Sequence, residues 1–314
     1  MKRGLHFESA AMIFSRKGSG LQQGIGTLVV VGVGLIGGSF SLALKRAGRV
    51  GHVIGVDRSR ENLQRALELG VIDVACDDLA QAARGADMVL LATPVGQMAT
   101  QLATLAPVLA ATTIVSDVGS TKCDVVAMLR RHLPGHLARC VPAHPIAGSE
   151  LTGAAAAQYG LYDGRNVVLA PLPETDAAVC ERVAGLWQAC GARVHCMGAH
   201  EHDAVFAAVS HLPHLLAFSY VGMVARRADA ARCFDFAATG FRDFTRIAGS
   251  SAEMWRDIAL ANREALLAEL ADYRAALDSL SVQLEAGDGD ALLDAFDTAR
   301  AARNAWHQRF MRQG

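Results

Sequence analysis

The run Gly32-Val33-Gly34-Leu35-Ile36-Gly37 has three glycines at G-x-G-x-x-G spacing. It follows a β-branched stretch and opens a helical pattern, and Asp57 ends the next β-rich run 20 residues beyond Gly37. In that context the glycines let backbone approach a pyrophosphate, the helix N-terminus offers N–H donors and the acid takes ribose hydroxyls. The cofactor contacts expected are Gly32, Gly34, Leu35, Ile36, Gly37, Asp57 and Arg58, with Thr93 and Pro94 at the end of a later strand. Asp57 repels a 2′-phosphate and favours NAD. Arg58 and Arg60 stand where such a phosphate would be clamped, which keeps NADP as the lesser alternative. A tight structural turn is the plain alternative for the glycines.

Four further groups carry chemistry. In CVPAHPIAGSELTG, His144 sits between a strand and Pro145, which restricts it to extended backbone at the end of the sheet facing the ligand crevice. A histidine there suits general acid/base work, or is an ordinary loop residue. In Asp117-Val118-Gly119-Ser120-Thr121-Lys122, Ser120 is either a helix N-cap or a hydroxyl that holds the nicotinamide end or orients His144. Glu201-His202-Asp203 and Ser210-His211-Leu212-Pro213-His214 hold three histidines in an apolar helical run. A metal would want such a cluster, but no further Cys or carboxylate recurs at ligand spacing, so no metal is assigned and a satisfied core histidine is expected for one of the pair His211/His214. Finally, Arg242 and Arg246 flank Asp243 next to aromatics, as an anion clamp or a solvated helix end.

These residues need a scaffold. Thr27–Val33, His52–Asp57, Ala86–Thr93, Thr112–Val118, Arg139–Pro142, Asn166–Ala170 and Ala192–Cys196 read as strands of a parallel sheet, with helices at Ile36–Ala47, Arg60–Leu69 and Asp176–Cys190. After about residue 199 the strands stop. A capping box at Ser250 and Glu253 opens a helix of about seven turns through Trp255, Leu266 and Leu280, and Gly287–Gly289 turns the chain into a return helix. The fold class expected is α/β: a loose N-terminal extension (1–24), a Rossmann-type dinucleotide-binding domain (25–198) and an all-α substrate and dimerisation domain (199–314).

Composition sets the limits. Of 314 residues, 52% are hydrophobic and 19% charged, which excludes disorder. Lys and Arg total 30 against 31 acids, so no basic field exists for nucleic acid or an anionic membrane. Three long uncharged runs, 27–44, 88–116 and 204–225, are broken by glycine, proline or histidine and read as interior segments rather than membrane spans. The first residues lack a secretory apolar core, and seven cysteines without a C-x-x-C pair suit a reducing cytoplasm.

Taken together, VVVGVGLIGGS, SDVGSTK, AHPIAGSE, HDAVFAAVSHLPH and GFRDFTRIAGSSAEMW make the chain from about Gly26 to Arg312 resemble the prephenate/arogenate dehydrogenase family of tyrosine biosynthesis. The resemblance implies a catalytic His144 helped by Ser120, substrate contacts from His214 and the carboxylate-binding Arg246, and acids Glu150 and Asp243 at the pocket mouth, with Ser149 grouped beside Glu150. It also implies a homodimer. Prephenate loses hydride from C4 to NAD while His144 takes the hydroxyl proton, and departure of CO₂ then makes the ring aromatic. Arg246 should orient more than activate, because clamping the departing carboxylate would stabilise the ground state. A C-terminal regulatory domain and a preceding chorismate mutase segment, commonly fused to this family, are not expected in this chain. Arogenate as substrate, a non-catalytic nicotinamide sensor and a β-hydroxy-acid dehydrogenase are the competing readings. The last would need a lysine in the helical domain, and no lysine follows Lys122. With Asp243 three residues before Arg246, helical geometry predicts that the two pair. Counting His214 and Arg246 as donors then favours prephenate over arogenate.

Overall fold

A computed structural model describes residues 24–148 and 151–311. The expected extension at 1–24 lies outside the described residues save for Gly24, as do Ser149 and Glu150. The chain packs as two units. One runs to Val205 and takes in Gly249–Ala261; the other holds Phe206–Ala248 and the chain from Asn262.

In the first unit, β1 (Ile25–Val31), β2 (Val50–Val56), β3 (Val74–Cys76), β4 (Met88–Leu91), β5 (Ile114–Asp117) and β6 (Cys140–Val141) form one sheet in the order β3-β2-β1-β4-β5-β6. Every pairing is parallel. All four residues of β4 and of β5 are buried, the continuous burial that helices on both faces require. The strand order reverses between β1 and β4, so their carboxyl ends open the ligand crevice.

A second sheet departs from the sequence expectation. β7 (Ala143–Pro145), β8 (Asn166–Leu169) and β9 (Arg193–Cys196) pair separately, with β7 antiparallel to β8. The sequence pattern places the last two in the parallel sheet, and the structure pairs them outside it. The cause lies at Pro142, which has no N–H to extend the ladder of β6. Its carbonyl accepts from Ala170 N at 2.9 Å, and the next N–H, that of Ala143, donates to Asp117 Oδ1 at 3.1 Å. The chain thus leaves one sheet and joins the other within a residue of His144. Asp117 Oδ2 also accepts from Gly119 N at 2.7 Å and from the Lys122 ammonium, and both side chains of that ion pair are buried. Behind the sheets, Trp187 packs on Phe40 and Tyr162 at 4.4 and 5.1 Å between ring centroids, and the Tyr162 hydroxyl donates to Ile36 O at 2.6 Å.

The helix Ala199–Phe206 continues through a π-helical turn, Ala207–His211, into Leu212–Ala225. Pro213 explains the widening: it lacks the N–H that would bond to residue 209 and its ring crowds that carbonyl. The run Ala199–Ala225 is the one helix among the described residues long and apolar enough to cross a membrane, and only 28% of its most apolar stretch is buried within the chain. The seven-turn helix expected from residue 250 is broken at Asn262 into Ala252–Ala261 and Arg263–Ala286. Asn262 is buried and bonded to His211, 3.0 Å between its Nδ2 and the ring Nδ1, a partner the linear pattern cannot reveal. The expected cap is also displaced by one residue: Ser251 Oγ, not Ser250, accepts from Met254 N at 3.3 Å. Gly287, at φ 64°, turns the chain into the return helix Gly289–Met311 as expected.

Because Lys122 neutralises a buried carboxylate, Lys122→Met should lower the unfolding free energy by about 3–5 kcal/mol, read from the midpoint of chemical denaturation. A loss under about 1 kcal/mol, the worth of a surface pair, would show that the ion pair is not structural.

Candidate active site

The glycine turn is built by its neighbours. At Gly32, φ is +93° and a Cβ would stand 2.6 Å from the Ala92 carbonyl oxygen and 2.9 Å from Thr93 Cγ2, so only glycine fits. At Gly37 a Cβ would meet Gly32 O at 2.5 Å, which lets the helix Leu35–Arg46 start tight against β1. Around Gly34 nothing lies within 4 Å of such a Cβ. Gly34 is the N-cap of that helix and supplies no side chain to its first amides. An open cradle with uncapped N–H groups suits a pyrophosphate. Leu35 is buried, and Ile36 is held through its carbonyl by Tyr162.

Asp57 follows β2 and is held in place by Val33 N at 3.1 Å, Ser59 N at 2.9 Å and Asn62 Nδ2 at 3.1 Å. Three donors on a carboxylate with about four lone-pair positions leave it an acceptor still. Arg60 is ion-paired with Asp77 at 2.8 Å, and Arg58 is exposed. Thr93 Oγ1 donates to Gln101 Oε1 at 2.9 Å, and Pro94 precedes the helix Val95–Leu105. The sequence pattern did not reveal Asn62, which ties Asp57, Val33 O at 2.9 Å and Ala154 N at 2.7 Å together.

His144 is half-buried on β7. Its Nδ1 lies 2.8 Å from His202 Nε2, and His202 Nδ1 lies 2.8 Å from Asp203 Oδ1. Asp203 in turn accepts from Lys122 N and Cys123 N, both at 2.8 Å, at the start of the helix Cys123–His132. That helix begins three residues after Ser120, so the N-cap role considered for Ser120 falls to other groups; Ser120 is a half-buried turn residue. Burial alone would raise the Asp203 carboxyl, but hydrogen bonds from His202 and from the Cys123 and Lys122 amides outweigh it and hold it below the usual carboxylate range.

On the second unit, His214 Nδ1 donates to Ser210 O at 2.8 Å, since a carbonyl can only accept. Burial, with Arg246 nearby, holds this imidazole below its ordinary value against the pull of that carbonyl. Neutral His214 therefore presents Nε2 as an acceptor, which corrects its count as a donor. The expected Asp243–Arg246 pair is not formed either: Asp243 takes Arg242 Nε at 3.0 Å. The helix Thr239–Thr245 gives way to a 3₁₀ turn at Arg246, which removes the three-residue helical register the pair required. His211, bonded to Asn262, is the satisfied core histidine. Among the described residues no group of three or more His, Cys, Asp or Glu side chains is placed to hold a metal ion.

Comparison with known proteins agrees with this architecture. Residues 40–196 match the family described as prephenate dehydrogenase, nucleotide-binding domain, and residues 198–298 the prephenate dehydrogenase, dimerization domain. The chain is 38% identical over 280 residues to the cyclohexadienyl dehydrogenase of Zymomonas mobilis, covering 88% of this chain and 95% of that protein. It is 37% identical over 280 residues to the prephenate dehydrogenase of Bacillus subtilis, covering 88% and 75% respectively. The crystal structure of prephenate dehydrogenase from A. aeolicus in complex with hydroxyphenyl propionate and NAD+ superposes with a TM-score of 0.84 at 32% identity, over 90% of this chain and 98% of that one. Bounded by a glycine turn at one end and helical dimerisation elements at the other, the chain belongs to the prephenate dehydrogenase family.

Proposed function

We propose that this protein oxidatively decarboxylates prephenate to 4-hydroxyphenylpyruvate as an NAD-dependent homodimer in the cytoplasm. The observation that carries this is the open, uncapped cradle at Gly34 with Asp57 held as an acceptor, in a chain spanning both halves of the family. NAD supplies the hydride acceptor when bound. Gly32, Gly34, Leu35, Ile36 and Gly37 would hold its pyrophosphate and Asp57 its ribose, with Thr93 and Pro94 alongside. Engagement of Arg60 by Asp77 supports NAD over NADP.

We assign His144 as the base that accepts the ring-hydroxyl proton and Ser120 as its helper. Arg246 and His214 are assigned to substrate, with Arg246 holding a carboxylate. Asp243 and the pair Ser149–Glu150 complete the set. We keep the functional boundary at 198/199, close to where one family match ends at residue 196 and the other begins at 198. The seven cysteines are free thiols, as a reducing cytoplasm maintains them.

One observation favours a wider substrate range. The acceptor nitrogen of neutral His214 suits the ammonium of arogenate. Against it stand two cations, Arg242 and Arg246, with one acid between them. Prephenate therefore ranks first and arogenate second.

Mixing protein, NAD and prephenate should produce reduced nicotinamide, seen by its absorbance; no signal would leave a nicotinamide-binding sensor. His144→Asn should lower kcat by about 10²–10⁴-fold, the usual worth of a positioned base, with NAD affinity nearly unchanged. Steady-state kinetics should give a larger kcat/KM for prephenate than for arogenate, and the reverse order would point to Glu150 as an ammonium partner. Sedimentation at micromolar concentration should show a dimer, because Leu267, Val282, Leu284, Leu293 and Phe296 on the long helices are exposed in a single chain.

A further inference from the structure

The groups that meet His144 within the first unit form a line ending in a charge. Asp203 is a carboxylate already bonded to two amides, so it can only accept, and the proton of its bond with His202 belongs to His202 Nδ1. Burial holds the His202 imidazole below its ordinary value, ahead of the opposing pull of Asp203. A neutral ring protonated at Nδ1 carries its lone pair on Nε2. That nitrogen accepts, so the proton of the His144–His202 bond belongs to His144 Nδ1.

We propose that His202 and Asp203 are positioning residues for the reaction: they hold His144 as the Nδ1–H tautomer with Nε2 unprotonated, and they stabilise the imidazolium that forms there. In that step the substrate's C4 O–H bond breaks and its proton bonds to His144 Nε2. The electron pair left on oxygen forms the carbonyl as hydride leaves C4 for NAD. The new cation keeps its Nδ1–H on His202 Nε2, and the Asp203 carboxylate lies one ring further along the same line. The logic is that of a histidine base oriented by an acid, with a second imidazole interposed. Lys122 is the cation near this line, and its ammonium is paired with Asp117. A packing role alone is the competing account, since the two rings also meet edge to face at 5.0 Å.

The inference rests on the dehydrogenase reading above, so it is tested by one measurement that needs no turnover and one that does. In the full-length protein carrying isotope-labelled histidine, with the His144 signals identified by their loss in His144→Asn, nitrogen NMR of the neutral ring should show His144 protonated at Nδ1. Protonation at Nε2 instead would overturn the proposal even if the enzyme is active. In kinetics, His202→Leu should lower kcat by about 10–10²-fold with a smaller change in the KM for prephenate. His202→Gln, whose amide oxygen reaches the position of Nε2 and accepts from His144, should restore most of that loss. Equal kcat in both variants, whether at the wild-type level or equally depressed, would favour packing and overturn the proposal. Should His202→Leu fail to fold, the tautomer measurement on the wild-type chain decides. An inactive wild-type protein would refute the dehydrogenase reading and leave the tautomer to judge this one.

Discussion

The Asp117–Lys122 ion pair is the constraint on which the first unit's chemistry depends. A buried carboxylate is tolerated only when its lone pairs are met, and Asp117 is met by the Lys122 ammonium, Gly119 N and Ala143 N. Those three partners lie in the turn after β5 and at the first residue of β7. One side chain therefore shapes the Ser120 turn and also starts the strand that presents His144. Without it, Ala143 N–H would be an unpaired buried donor at the point where the chain changes sheets.

Asp203 repeats the device from the opposite side. It closes the first turn of the helix Cys123–His132 through two amides and anchors His202 against His144. Two acids thus fix the short segment between Asp117 and Cys123 from both ends, and His144 shares their frame. The Ser120 turn and the placement of His144 are set by hydrogen bonds to buried groups, which are worth more in a low dielectric than the same bonds at the surface.

The second unit solves a different problem. Its entering helix must carry Pro213 in its interior, and it does so by widening into a π turn just before it, while His214, the residue after Pro213, bonds back to Ser210. Such turns are frequent at functional positions because they re-aim side chains without ending the helix. The same unit leaves large apolar residues exposed on both long helices, which suits its membership of a dimerization family.

Much of this was legible in the residues themselves. The glycine turn, Asp57 after its strand and the return at Gly287 all follow from rules acting over a few residues: steric limits on φ, strand and helix periods, turn chemistry. His144 does not: expected beyond the end of a parallel strand, it lies inside β7 of the second sheet, paired antiparallel with β8. Legibility failed where the deciding partner is distant in the chain. His202 is 58 residues from His144 and Asp203 is 81 from Lys122, and Asn262 breaks a helix that its own neighbours favour because it meets His211. Asp243 took Arg242 rather than Arg246 because a 3₁₀ turn replaced the assumed helix. The sequence by itself determined which elements form and which residues stand at their ends. Only the tertiary structure decided how buried polar groups pair, and hence which histidine nitrogen bears the proton, because that depends on which elements packing brings within hydrogen-bond reach.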